Sequence, residues 1–279
     1  MSYDSRTSGL PGPLARAGFP HLLAATVVLV TATILLGVAA KATGSGLACQ
    51  ANWPLCDGGL LNLFPANFPS FFEWIHRVVA MVAGFFIVGT ALAAWWGAVA
   101  DPRVRYAVTL GLLLTPVQVL LGRETVLTYE MTILSLHFWT AVAIFALFAV
   151  AVVLVWAPSL SAGHVTAAMA IGAAAVPVHV ALSPLFIGSY TAVIQTAQYA
   201  AVLALLTAVI VGAIVGRRRY DGRPARAVVL AAPALAVAVL VLGRRAVMTF
   251  APALDALYLF ASVALFATLA AGVALARRD

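Results

Sequence analysis

Two histidines, a glutamate and an arginine stand inside stretches of chain that are otherwise apolar. Glu73, His76 and Arg77 share one such stretch, and His137 lies in another. An ionisable side chain within an apolar span is costly, and its presence points to function. Residues three and four apart share a helix face, so Glu73, His76 and Arg77 form one polar patch. His76 and His137 each fall about five residues past the outer end of their run, roughly 8 Å deep at 1.5 Å per residue. Two imidazoles at one depth on separate helices are placed to clasp a planar group, and haem iron accepts axial histidines. A bare metal ion asks for more ligands than this pair supplies. A Ser-His-Asp hydrolase would need a nucleophile elbow that the chain lacks. Glu73 suits a proton acceptor beside the clasped group. The bland alternatives are a salt bridge from Glu73 to Arg77 and, for each histidine, a polar contact to a neighbouring helix.

Apolar helices must position these groups. The chain has 279 residues, of which 64% are hydrophobic and 9% charged, against about 25% charged in soluble domains. Mean hydropathy is +1.06. This composition excludes soluble, disordered and collagen-like chains. About 20 apolar residues cross a bilayer core, and eight runs meet that length: 21–40, 71–96, 106–122, 132–156, 164–183, 190–215, 227–243 and 254–276. The expected fold is all-α and integral to the membrane. The first run is too long for the core of a signal peptide, although Ala39-Ala40-Lys41-Ala42 resembles a cleavage site.

The net charge of +7 fits membrane topology better than nucleic acid, because the basic residues sit in short loops. With the N-terminus in the cytoplasm, the inner side carries Arg6, Arg16, Arg103, Arg105, Arg217, Arg218, Arg219, Arg223, Arg226, Arg277 and Arg278. The outer side carries Lys41, Arg77, Arg123, Arg244 and Arg245. Both termini are then cytoplasmic in a multi-pass cell-membrane protein. Four of the outer arginines gather at the boundary, where they would pair with the propionates of a haem or snorkel to water. His21 and His164 fall at cytoplasmic span ends and His179 toward the outer side of the fifth run, all read as contacts rather than ligands. The cysteines, Cys49 and Cys56, both lie in the first outer loop. An oxidising outer face permits a disulfide between them; the alternative is two unpaired thiols.

The chain repeats itself. Residues 121–148 set over 242–269 share ten identities, among them Leu121-Gly122-Arg123 with Leu242-Gly243-Arg244, and Val126-x-Thr128 with Val247-x-Thr249. Two tandem four-helix bundles of the same orientation are expected, over 1–160 and 161–279, as a parallel internal repeat. The second half lacks the first half's titratable groups. His137 aligns with Tyr258, and His76 with Ala197, near Gln195 and Gln198.

Thr43-Gly-Ser-Gly-Leu-Ala-Cys49, Asn52-Trp-Pro-Leu-Cys56, Glu73-x-x-His76-Arg77, Gln118-x-x-x-Gly122-x-x-Thr125-Val126 and His137 follow one another in an order that resembles the haem A synthase (cytochrome oxidase assembly) family. The resemblance covers most of residues 35–145. It implies eight helices in two halves and an iron-dependent oxidoreductase that converts the C8 methyl of haem O to the formyl of haem A, for use in terminal oxidases. It further implies that His76 and His137 hold the haem, that Glu73 assists proton removal and that Cys49–Cys56 is a disulfide. Haem O is then the substrate, and haem O synthase and oxidase subunits are implied partners. Such families usually carry a second histidine pair for a haem b. Here those positions read as Gln195 or a neighbour and as Tyr258, so a bis-histidine haem b is not expected. Tyr258 or His179 would be its substitute ligand, or electrons would pass through an oligomer partner. The competing function is a non-catalytic haem-binding protein that carries electrons or delivers haem to an oxidase. A transporter ranks third, resting on the repeat and on Pro116, Gln118, Pro177 and His179 within spans.

Overall fold

Within hydrocarbon a backbone must satisfy its own polar groups, so each long apolar run folds as a helix. The computed structural model describes residues 18–49, 52–56, 64–65, 67–96, 99–128, 130–220, 222–249 and 251–276. Arg6, Arg16, Arg277 and Arg278, and the side chains of Arg223 and Val247, lie outside that description. The helices are α1 (Phe19–Ala42), α2 (Phe68–Trp96), α3 (Pro102–Leu127), α4 (Met131–Trp156), α5 (Ala162–Ala181), α6 (Ala192–Arg219), α7 (Arg223–Thr249) and α8 (Pro252–Ala276). All eight contain a segment long and apolar enough to cross a membrane. A single π-helical turn, Gly212–Gly216, interrupts α6.

Most helices overrun the apolar runs that announce them. α3 begins at Pro102, whose missing N–H costs nothing at a first turn, and the Asp101 side chain accepts the Arg103 amide at 2.9 Å. α5 opens with a reciprocal Ser161–His164 cap, a polar motif invisible to hydropathy. Pro116, Pro177 and Pro233 lie inside helices. Each removes a backbone donor, which a membrane helix tolerates when neighbours compensate.

Buried side chains gather in two cores. One joins α1 to α4 with the inner edge of α6, around Leu23, Val108, Phe145 and Phe148. The other joins α5 to α8 with the end of α4, around Val165, Leu205, Val229 and Leu265. Lipid offers no hydrophobic drive between helices, so close packing and polar bridges must hold them. Small residues provide the packing: a Cβ on Gly272 would meet Met169 Sδ at 2.5 Å, and one on Gly216 would meet Val229 Cγ1 at 2.9 Å. Thr26 and Thr90 share a buried 2.7 Å hydrogen bond between α1 and α2. Large apolar side chains such as Val28, Phe85 and Phe260 point outward, the expected lipid face.

Candidate functional site

Each expected histidine rests on a glycine of the preceding helix. A Cβ on Gly37 of α1 would stand 2.9 Å from His76 Cε1, and one on Gly122 of α3 would stand 3.1 Å from His137 Cε1. Only a residue without a Cβ lets an imidazole lie that close to the backbone. His76 also lies against the backbone of Thr33 and within electrostatic reach of His137. The His137 Nε2 is 3.2 Å from the Gln118 side-chain amide, which donates to it or, turned over, accepts from it according to the ring tautomer. The Nδ1 atom of each ring is buried with no hydrogen-bond partner. His76 is eight residues into α2 and His137 six into α4.

Glu73 is 5% exposed and bonded to Arg77, whose Nε donates to Oε1 at 3.0 Å. Of the two readings of Glu73, the ion pair is therefore present. The rest of Arg77 turns to the loop. Its Nη1 donates to the Asn52 carbonyl at 2.8 Å and the Leu55 carbonyl at 2.9 Å, with Pro54 O at 3.4 Å. Its Nη2 is buried and free of hydrogen-bond partners, so one donor remains for a ligand. The hydropathy pattern held no signal for this clamp on the loop.

Cys49 and Cys56 form a disulfide, with Cα atoms 4.7 Å apart, and both are buried. The sulfurs pack on the Ser70 carbonyl, and Ser70 Oγ donates to Ala48 O at 2.8 Å. The loop is thus tied to the first turn of α2 by Ser70 and one turn beyond Glu73 by Arg77.

The other flagged residues separate cleanly. The His21 ring meets Trp156 edge-on, and His164 is a helix cap. Gln195 donates to the Tyr190 carbonyl at 2.9 Å, and Gln198 donates to the His179 carbonyl at 3.0 Å. Tyr190 O–H donates to Gln198 Oε1; burial, helped by the neighbouring Tyr199 and Tyr258, pushes this phenol's pKa up and keeps it a donor. Both amides are thereby engaged. Tyr258 rests on Gly243, whose added Cβ would stand 3.0 Å from its ring. The His179 ring meets Tyr258 edge-on at 5.9 Å. Among the described residues no group of three or more His, Cys, Asp or Glu gathers for a metal ion.

Eight long helices, with a half-buried histidine on each of two of them and a disulfide-closed loop, define a polytopic membrane protein. A family model described as cytochrome oxidase assembly protein matches residues 20–200, and the chain belongs to that family. Similar proteins include a protoheme IX farnesyltransferase of Halobacterium salinarum, 36% identical over 151 residues, covering 54% of this chain and 32% of that protein. A heme A synthase of Bacillus licheniformis is 31% identical over 125 residues, covering 43% of this chain and 40% of that protein. One of Listeria welshimeri is 25% identical over 122 residues, again 43% and 40%. The chain therefore spans about a third to two fifths of the length of these relatives. No solved structure matches.

Proposed function

We propose that this chain is a haem A synthase-like oxidoreductase that converts the C8 methyl of haem O to the formyl of haem A for terminal oxidase assembly. The supporting observation is the paired imidazoles, each pressed on a glycine and each with a buried, unpartnered nitrogen. A buried polar atom without a partner is costly, and a ligand that uses it removes the cost. The donor set fits an iron porphyrin, which takes one axial imidazole on each face.

Within this reading the residues divide the work. His76 and His137 fix the substrate haem, and Gln118 orients the His137 ring. Glu73 accepts a proton released at the oxidised carbon and is held at its position by Arg77. The Arg77 Nη2 is left to meet a propionate or the Glu73 side of the substrate. The disulfide loop caps this end of the site. The haem iron supplies redox chemistry when the substrate is bound. Residues 1–160 form the substrate half and 161–279 a degenerate second half. Both termini are cytoplasmic, and the cysteine loop faces outward, where disulfides persist.

A second reading is a haem carrier that does not oxidise its ligand. The Glu73–Arg77 ion pair favours it, since a carboxylate so engaged is a poorer base. The farnesyltransferase name belongs to proteins of which this chain matches about a third.

The test is chromatography of haems extracted from membranes of a host that makes haem O but not haem A. Wild type, Glu73→Ala and His76→Ala are compared, with a second host that makes only haem B. Haem A in the wild type alone supports the synthase. Bound haem with no haem A makes the chain a carrier, and haem O arising in the second host makes it a farnesyltransferase.

A further inference from the structure

In the second half, several buried hydrogen-bonding groups converge with nothing to bond. His179 is 8% exposed, Ser183 4% and Tyr258 2%. Both His179 ring nitrogens, Ser183 Oγ and Tyr258 Oη are buried without a partner. The groups are neighbours. His179 and Tyr258 touch edge to face, Ser183 lies two residues past the end of the helix that carries His179, and the Ser183 and Tyr258 hydroxyls lie side by side without reaching hydrogen-bond geometry. Arg244 follows the glycine on which Tyr258 rests; its Nε is buried and unpartnered, while its Nη2 donates to Ser135 Oγ at 3.1 Å and its guanidinium stands over the Phe138 ring of α4. No carboxylate pairs with Arg244 among the described residues. Every side chain in the group can donate, and none is acidic.

A donor-rich, acid-free cluster beside an aromatic ring suits a flat ligand that accepts hydrogen bonds at its edge. A quinone has that chemistry: a planar ring, two carbonyl acceptors and an apolar tail. The sequence neighbours Val178 and Leu257 are exposed, so the cluster lies just beneath the bundle's apolar surface. We propose that His179, Ser183 and Tyr258 form a site for a lipid-soluble quinone. Neither an isolated histidine nor an isolated tyrosine would carry this. The convergence of three unpartnered groups, each more than nine-tenths buried, does.

The site gains a purpose from the proposed reaction, on which that part rests. Converting a methyl to a formyl group with water as the oxygen source releases four protons and four electrons. Two quinones take these up to become two quinols. The second half has no histidine pair at α6 and α8 to hold an intermediate haem, so an acceptor bound directly there closes the balance. Phe138, next to His137 in sequence, meets Tyr199 of α6 edge-on at 5.6 Å. Tyr199 in turn lies within electrostatic reach of Tyr190, which also senses Tyr258. The two halves are therefore joined by the Phe138–Tyr199 ring contact on this side.

Binding is testable without turnover. Purified full-length protein, washed free of lipid, is titrated by calorimetry with decylubiquinone and with menadione. Saturable binding of either at one site per chain is expected. Tyr258→Phe, which removes one oxygen, should weaken it about tenfold, since one buried hydrogen bond is worth about 1.4 kcal/mol in this range. His179→Leu should weaken it further. Thr26→Val, in the other core, should leave it unchanged. Absence of saturable binding overturns the proposal, as does equal affinity in His179→Leu and Tyr258→Phe. So does a second haem per chain that disappears in His179→Leu, which would make the cluster a haem site. Because binding is read directly, a synthase that makes haem A without binding quinone fails this inference alone. A quinone binder that makes no haem A fails only the proposed reaction.

Discussion

Gly37→Ala perturbs the close packing of His76 on α1 and nothing else in the site. The new methyl would stand 2.9 Å from His76 Cε1, 3.3 Å from Nε2 and 3.6 Å from Nδ1. Carbon atoms pack best at about 3.5–4.0 Å, so the imidazole must retreat by about 0.6 Å or α1 must move. Overpacking of this kind costs about 1–3 kcal/mol. If His76 holds haem as proposed, a displacement of that order also degrades ligation, since sites need their groups held within about 0.5 Å. The assay is haem content per protein by pyridine haemochrome, with the Soret band of the purified protein and its melting temperature. Gly37→Ala should lose most of its bound haem and melt lower. Gly84→Ala, in α2 with nothing within 4 Å of the added carbon, is the control. It should keep its haem and gain about 0.5–1 kcal/mol from reduced backbone freedom. Wild-type haem content and an unshifted Soret band in Gly37→Ala would refute the seating of His76 against α1.

Other outcomes follow from the same geometry. Arg77→Met strands a buried Glu73 carboxylate and releases three loop carbonyls; destabilisation of about 3–5 kcal/mol is expected by thermal or denaturant unfolding in detergent, with Glu73→Gln/Arg77→Met losing less than Arg77→Met alone. Cys49→Ser/Cys56→Ser opens a short loop whose closure is worth about 2–3 kcal/mol, and the loss should match that produced by reductant on the wild type. Thr26→Val removes the buried bond to Thr90 and should cost about 0.6–1.7 kcal/mol. Gln118→Leu deprives His137 of its amide partner and should shift the haem spectrum more than it changes haem content.

Hydropathy was enough to place all eight helices, because a run of apolar residues of sufficient length has only one way to satisfy its backbone in lipid. It was weaker at their ends. The first turns of α3 and α5 are capped by Asp101 and Ser161, polar residues that lower an apolar average while favouring a helix start. The histidine pair, Glu73, Arg77 and the cysteines were legible from residue type and spacing. Their partners were not. Gly37 is an ordinary glycine in an apolar run until a ring from another helix lies on it. The clamp by Arg77 ends on backbone carbonyls, which carry no residue signature at all. Ser183 was missed for a similar reason: a single serine past the end of a span means nothing until His179 and Tyr258 stand beside it.

The π-helical turn at Gly212–Gly216 has a bearing on how this chain can change length. Such a turn holds one residue more than the α-helix around it. Each residue added to or taken from a helix rotates everything beyond it by about 100°, so a single deletion within a span usually turns a lipid face inward. Here the turn sets the phase of Arg217–Arg219, and Arg219 reaches the Leu160 carbonyl at 3.0 Å and the Pro158 carbonyl at 3.3 Å across the turn between α4 and α5. A deletion between 212 and 216 would relax the bulge to regular helix and leave the membrane-embedded part of α6, with Gln198 and Tyr199, in its present phase. The arginine end would keep its phase as well, because the bulge has already absorbed the extra residue. The bulge thus makes α6 a span in which a one-residue length change is a local event, confined to the end remote from the histidines.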